Sequence, residues 1–230
     1  MRHCRIGKCT LGTIPRTIVI VDDFLPLGEI KKLKDLGTDL IEMRVDGFNK
    51  DIDEICNYIK KVKKSVSMPM VGTIRENEWT KKDRISIFAK IIPLVDAIDI
   101  EIDASIGKQV IKMAAGKTVI VSEHDFSGTP KNADLVRIVK KASNLGCHIV
   151  KIAAMARSRE DVVRLLEFTH HCKKPIVAFS MGDVGAISRV ASMLFGSLYT
   201  YGFVKKANAP GQLHISELTQ ELRRFYPEIK

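Results

Sequence analysis

The chain has 230 residues, 45% of them apolar and 28% charged, enough apolar content to bury a full core and too much for a disordered chain or a disulfide-stapled mini-protein. No apolar run reaches the ~18 residues that a membrane-spanning helix needs. The net charge of +10 attracts anions of any kind, but the basic residues are dispersed and aromatics make up only 6%, which is not the interleaved pattern of a nucleic-acid-binding face.

Five cysteines (Cys4, Cys9, Cys56, Cys147 and Cys172) are irregularly spaced. No second Cys/His pair completes a zinc site with Cys4 and Cys9, and His170 and His171 beside Cys172 point apart on a helix. They read as reduced thiols of a cytoplasmic protein. The basic N-terminus, MRHCRIGKCTLGTIPR, has no apolar centre and is not a secretory signal.

Eight apolar, β-branched runs predict strands: Thr17–Val21, Leu40–Val45, Pro69–Ile74, Ala97–Ile102, Thr118–Ser122, Ile149–Ala154, Pro175–Ser180 and Leu198–Val204. Their mean spacing of about 26 residues suits one strand–helix unit. Helical patterns fill the gaps at Leu27–Leu36, Ile52–Val62, Lys82–Ile92, Asn132–Leu145, Ser158–His170 and Ile187–Leu194, and Ile215–Phe225 closes the chain. Ser158 followed by Asp161 reads as a helix start, Thr129-Pro130 as another, and Gly37 and Gly146 as helix stops. Strict alternation predicts a parallel sheet. Eight units without a glycine fingerprint after the first strand favour a closed (β/α)8 TIM barrel over an open doubly wound sheet. The expectation is a single α/β domain over residues 1–230, with residues 1–16 as an N-terminal extension.

In such a barrel the functional side chains point inward at the C-terminal strand ends. Alternation places Glu42, Arg44 and Asp46 on one face, Arg75 at the tip of the third strand, Asp99, Glu101 and Asp103 on one face of the fourth, and Ser122 with His124 on the fifth. Lys151 is the one cation in an apolar run, Arg189 follows the seventh strand, and Asn208 and Gln212 sit in the last loop. Two readings of the acid row stand: a site for a hard cation, or ballast for Arg44 and Lys151. A lysine desolvated among apolar groups and cations is a nucleophile for a carbonyl. A nearby histidine is a proton acceptor near neutral pH. Arginines match a carboxylate. Together they suggest a Schiff-base lyase or aldolase acting on an anionic keto acid.

EMRVD (42–46), GTIR (72–75), DIEID (99–103), SEHDF (122–126), KIAAMA (151–156), SMGDVGAISR (180–189) and APGQ (209–212), in that order, resemble the type I 3-dehydroquinate dehydratases of the shikimate pathway. The resemblance implies that Lys151 forms an imine with the ketone of 3-dehydroquinate and that His124 is the general acid–base yielding 3-dehydroshikimate and water. It implies that Arg189 and Gln212 hold the substrate carboxylate and that Glu42, Arg44 and Arg75 contact its hydroxyls. It further implies a homodimer, no metal and no organic cofactor. Glu101, in place of a metal role, is expected to support the cations from behind. The chain departs from the pattern after Arg75, where Glu76-Asn77-Glu78-Trp79-Thr80 replaces a glutamate followed by two glycines. Glu78, with Glu76 as the alternative, is expected to orient His124. Asn208 stands where many members have serine, and its amide can still contact substrate. A sugar-phosphate aldolase would use Gly182–Gly185 for phosphate, and a basic binding protein would leave Lys151 inert.

Overall fold

The computed structural model describes residues 3–229. Each predicted strand forms: β3 (Thr17–Val21), β4 (Leu40–Arg44), β5 (Met70–Thr73), β6 (Ala97–Glu101), β7 (Thr118–Asp125), β8 (Ile149–Met155), β9 (Ile176–Met181) and β10 (Thr200–Phe203). They pair in parallel in the order β10-β3-β4-β5-β6-β7-β8-β9. The sheet closes where the Leu198 N–H donates to the Ile176 carbonyl, 2.9 Å away. The result is a (β/α)8 barrel.

The helices α1 (Leu27–Asp35), α3 (Ile52–Ser65), α4 (Arg84–Ile91), α6 (Asn132–Asn144), α7 (Arg159–His171) and α9 (Ile215–Phe225) match the apolar periodicity. Ser158 caps α7 by accepting from the Asp161 N–H. Thr129 does not cap α6; its hydroxyl donates to the Met155 carbonyl instead. Two short helices escape sequence reading because each offers less than two turns of pattern: α2 (Val45–Phe48) and α5 (Gly107–Met113). The predicted Ile187–Leu194 helix shrinks to α8 (Ser188–Ala191), because the bonds beyond it turn to the tighter three-residue spacing up to Gly196.

Alternation sorts each strand into an outer face packed on helices and an inner face filling the barrel. The inner side chains form tiers. Ile18, Leu40, Val71, Ala97, Ile120, Ile149, Val177 and Tyr199 make an apolar floor. Residues 4–11, read from sequence as a mere extension, form the hairpin β1 (Cys4–Ile6) and β2 (Cys9–Leu11). Its fully buried Ile6 and Leu11 join that floor and stopper the barrel from below. Burial of two such side chains contributes about 1.5–3 kcal/mol each. At the opposite end, β11 (Leu213–His214) pairs with β10 in parallel. The loop before it is held by the Gly182 N–H, which donates to the Pro210 carbonyl at 3.2 Å. Gly211 has φ +73°, and a Cβ there would stand 2.4 Å from the Gly182 carbonyl oxygen, so this close approach needs glycine.

Candidate active site

Above the apolar floor the inner face turns polar. The second tier holds Glu42, Thr73, Asp99, Ser122 and Lys151, all buried, with the rings of Phe179 and Tyr201. Register explains their convergence: Thr73 lies opposite Asp99, Glu101 opposite Ser122, Ser122 opposite Lys151, and His124 opposite Ala153. A cavity of about 380 Å³ opens over this tier, lined by Glu42, Arg44, Arg75, Glu101, His124 and Lys151 with Phe179, Tyr201, Asn208 and Gln212 among others.

Lys151 Nζ is 3.0 Å from Asp99 Oδ2 and 3.6 Å from Glu42 Oε2. Its nearest ionic partners are therefore carboxylates, not the cations expected from sequence. Asp99 also receives Arg75 Nη2 at 3.0 Å and the Ser122 hydroxyl at 2.6 Å. Burial pushes the Asp99 carboxyl up, but Arg75 and Lys151 outweigh it and hold the group ionised, below the ordinary carboxylate range. Tyr201 donates to Glu42 Oε2 at 2.6 Å, and Lys151 Nζ stands 4.5 Å from the Tyr201 ring centre.

His124 reaches the rim because β7 runs to Asp125, three residues past the run read from sequence. Burial first, then Lys151 and Arg75, push the imidazole well below its ordinary value, against the attraction of Asp99. It is thus a neutral base at neutral pH.

The acid row resolves into ballast, since its members face cations rather than one another. Glu101 pairs with Arg84 and lies 3.4 Å from Arg75. Arg84, invisible as a site residue in sequence, is buried on α4 and also donates to the Ile74 carbonyl at 2.8 Å. Asp103 is not in the site: β6 ends at Glu101, the alternation stops, and Asp103 pairs at the surface with Lys141. Asp46 also leaves its strand. From the first turn of α2 it takes Arg44 through two bonds at 2.9 and 3.2 Å and the Arg75 N–H at 3.0 Å, which aims the Arg44 guanidinium and fixes the Arg75 backbone.

The structure does not bring Glu78 to His124. Its side chain is 94% exposed and pairs with Lys81 at 2.8 Å. Asn77 Oδ1 accepts from the Trp79 and Thr80 N–H groups, which winds this loop into a turn. Trp79 Nε1 is anchored on the Asp46 carbonyl at 2.8 Å, and the neighbouring Glu78 is left facing outward. Glu76 is also largely exposed, 3.6 Å from Arg84. Among the described residues, the carboxylates lining the cavity with His124 are Glu42 and Glu101.

Arg189 lies one ring away from the cavity. Its guanidinium stands 4.1 Å over the Phe179 ring centre, donates to the Pro210 carbonyl at 3.5 Å, and leaves Nε buried without a partner among the described residues. Burial lowers its pKa to about 10. Asn208 donates to Asp22 at 2.9 Å, and its N–H bonds the Gln212 amide oxygen at 2.8 Å, so both side chains roof the cavity.

Tyr201, Phe179 and Arg84 are the residues sequence reasoning missed. Inward parity on β9 and β10 was the available signal for the two rings.

Residues 18–227 match the type I 3-dehydroquinase family. A 3-dehydroquinate dehydratase of Aquifex aeolicus is 37% identical over 218 residues, covering 90% of this chain and 97% of the relative. The crystal structure of type I 3-dehydroquinate dehydratase from Clostridium difficile with covalently modified comenic acid superposes with TM-score 0.85 at 30% identity, covering 99% of each chain. The 3-dehydroquinate dehydratase of Geobacillus kaustophilus gives TM-score 0.89 at 26% identity, covering 97% of this chain and 96% of that one. With the match running through every strand of the barrel and across the cavity, the chain belongs to the type I 3-dehydroquinase family.

Proposed function

We propose that the chain dehydrates 3-dehydroquinate to 3-dehydroshikimate through an imine on Lys151. The observation that carries this is a buried lysine amine at the base of a cavity that also presents a neutral imidazole and two arginines. The free amine of Lys151 adds to the substrate ketone, and loss of one water gives the imine. Protonated, it is an electron sink. His124 takes the α-proton, the electron pair moves into the iminium to form an enamine, and the returning pair expels the β-hydroxyl, to which His124 gives its proton. Water then cleaves the product imine and restores the amine. Asp99 and Glu42 beside Nζ serve this chemistry after the first step, since the iminium is a fixed cation that two buried carboxylates stabilise.

Arg44, aimed by Asp46, and Arg75 suit the ring hydroxyls with Glu42, while Asn208 and Gln212 close over them. Arg189 suits the carboxylate. A buried guanidinium with no acidic partner among the described residues is costly, and an anion relieves it. Arg189→Met is expected to raise KM by roughly 10- to 100-fold, the worth of a hydrogen bond to a charged group, while leaving thermal stability at or above that of the unaltered protein. An unchanged KM would move the carboxylate site elsewhere.

A sugar-phosphate aldolase is disfavoured by the loop meant to hold the phosphate. The Gly182 N–H is spent on Pro210 and the Gly185 N–H on the Gly182 carbonyl, so neither is free to cradle an anion. Borohydride trapping with 3-dehydroquinate, read by peptide mass spectrometry, tests the proposed chemistry. An adduct on the peptide holding Lys151 supports it, and none on folded protein would sink it.

A cytoplasmic homodimer is part of the same proposal. Exposed Ile187, Leu194 and Phe225 gather around α8 and the end of α9, and apolar surface of this kind favours self-association. Cys4, Cys9, Cys56 and Cys147 carry free thiols. The protein is expected in the soluble fraction of broken cells, eluting at twice the 25.7 kDa chain mass. Elution at the chain mass would remove the dimer, and recovery with membranes the location.

A further inference from the structure

Taking Lys151 as the imine-forming group and Glu42 as a substrate contact, as proposed above, we infer that Tyr201 is a positioning residue that sets the Glu42 carboxylate for substrate and keeps it from closing on Lys151. Three observations meet at this side chain. Its hydroxyl donates to Glu42 Oε2 at 2.6 Å. That same oxygen is the one facing Lys151, and it stays 3.6 Å away, beyond hydrogen-bond distance. Lys151 donates its hydrogen bond to Asp99 instead, at 3.0 Å. One carboxylate thus serves the lysine, and the other is tethered by tyrosine.

The ring is packed for this work. Phe179 and Tyr199 meet Tyr201 edge-on, each with ring centres 5.7 Å apart. These two neighbours pack against the ring while its hydroxyl reaches Glu42. Its face is 4.5 Å from Lys151 Nζ, where a π-system attracts a cation whether ammonium or iminium. A phenylalanine at 201 would keep the ring contact and lose only the tether. Glu42 Oε2 would then be free to turn onto Lys151, leaving the cavity without a fixed acceptor for a substrate hydroxyl.

Tyr201→Phe separates these roles because ring packing is retained. It is expected to raise KM for 3-dehydroquinate about tenfold, the scale of a hydrogen bond to a charged group, with kcat changed much less. A double-mutant cycle with Glu42→Ala supplies the readout that a merely structural hydroxyl would not move. If Tyr201 acts through Glu42, its effect on KM disappears in the Glu42→Ala background. An unchanged KM in Tyr201→Phe, or an effect that simply adds to that of Glu42→Ala, overturns the inference. Borohydride trapping on the unaltered protein separates the two levels. With an adduct on Lys151 and an unresponsive KM, only the role of Tyr201 falls. Without the adduct, the imine chemistry falls, and the role of Tyr201 with it.

Discussion

Lys151→Ala is expected to abolish turnover, a loss on the order of 10⁶, the scale on which removal of a covalent nucleophile is felt. The borohydride adduct is expected to vanish with it. The size follows from what the imine supplies. Without it, the α-proton is acidified only by a neutral ketone, and the electron pair has no cationic sink between Asp99 and Glu42. The remaining groups still bind substrate, so KM is expected to move far less than kcat.

The same substitution tests the fold, because it removes the cation from between two buried carboxylates. Breaking a buried pair ordinarily costs about 3–5 kcal/mol. Here Asp99 keeps Arg75 at 3.0 Å and Ser122 at 2.6 Å, and Glu42 keeps Tyr201 at 2.6 Å, so neither charge is stranded. Against the ~5–15 kcal/mol stability of a typical domain, the variant is expected to fold. A thermal melt and near-ultraviolet circular dichroism check this. Substantial turnover by the folded variant would remove the imine from the mechanism.

What was legible in the sequence was what alternation and order encode. Strand parity put Glu42 with Arg44 and Ser122 with His124 on shared faces, Arg75 stood out at a strand tip and Lys151 as a lone cation in an apolar run, and the order of motifs tied them to one end of the barrel. Where a strand stops, parity fails. Asp103 and Asp46 lie just past the ends of β6 and β4, and both leave the ladder. Which acid of the row would pair with Lys151 was illegible for a different reason. Asp99 and Lys151 are separated by 52 residues, and only the register β6–β7–β8 brings them together. Glu78 was misplaced because the turn organised by Asn77 and anchored through Trp79 decides which side chain faces the barrel, and spacing from Arg75 carries no trace of that turn. The hairpin that stoppers the barrel was hidden by its brevity: two three-residue strands offer no periodicity to read.

His124→Ala is expected to slow turnover by roughly 10²–10⁴, the contribution of a positioned general acid–base, while the Lys151 adduct still forms and accumulates. The pH profile should identify the group. Burial, Lys151 and Arg75 hold the imidazole well below its ordinary value, so the catalytic base stays neutral into mildly acidic solution. Activity is expected to persist below the ~6.5 of a free histidine and to fall only as pH drops through the depressed value. Stability follows the same sign. Below that ordinary value the unfolded chain takes up a proton at His124 that the folded chain refuses, so the folded state loses ground as pH falls until the depressed value is reached. Asp99 adds a separate loss only in more acidic solution, below the ordinary carboxyl range, because its ionised form is the one the fold holds. His124→Ala should therefore remove the acid limb of the residual rate and flatten the decline of melting temperature just below pH 6.5, leaving the Asp99 decline in place. An acid limb that survives the substitution would assign the proton transfer to another group. A limb that disappears while the adduct builds up would place the lysine and the histidine on successive steps of one reaction.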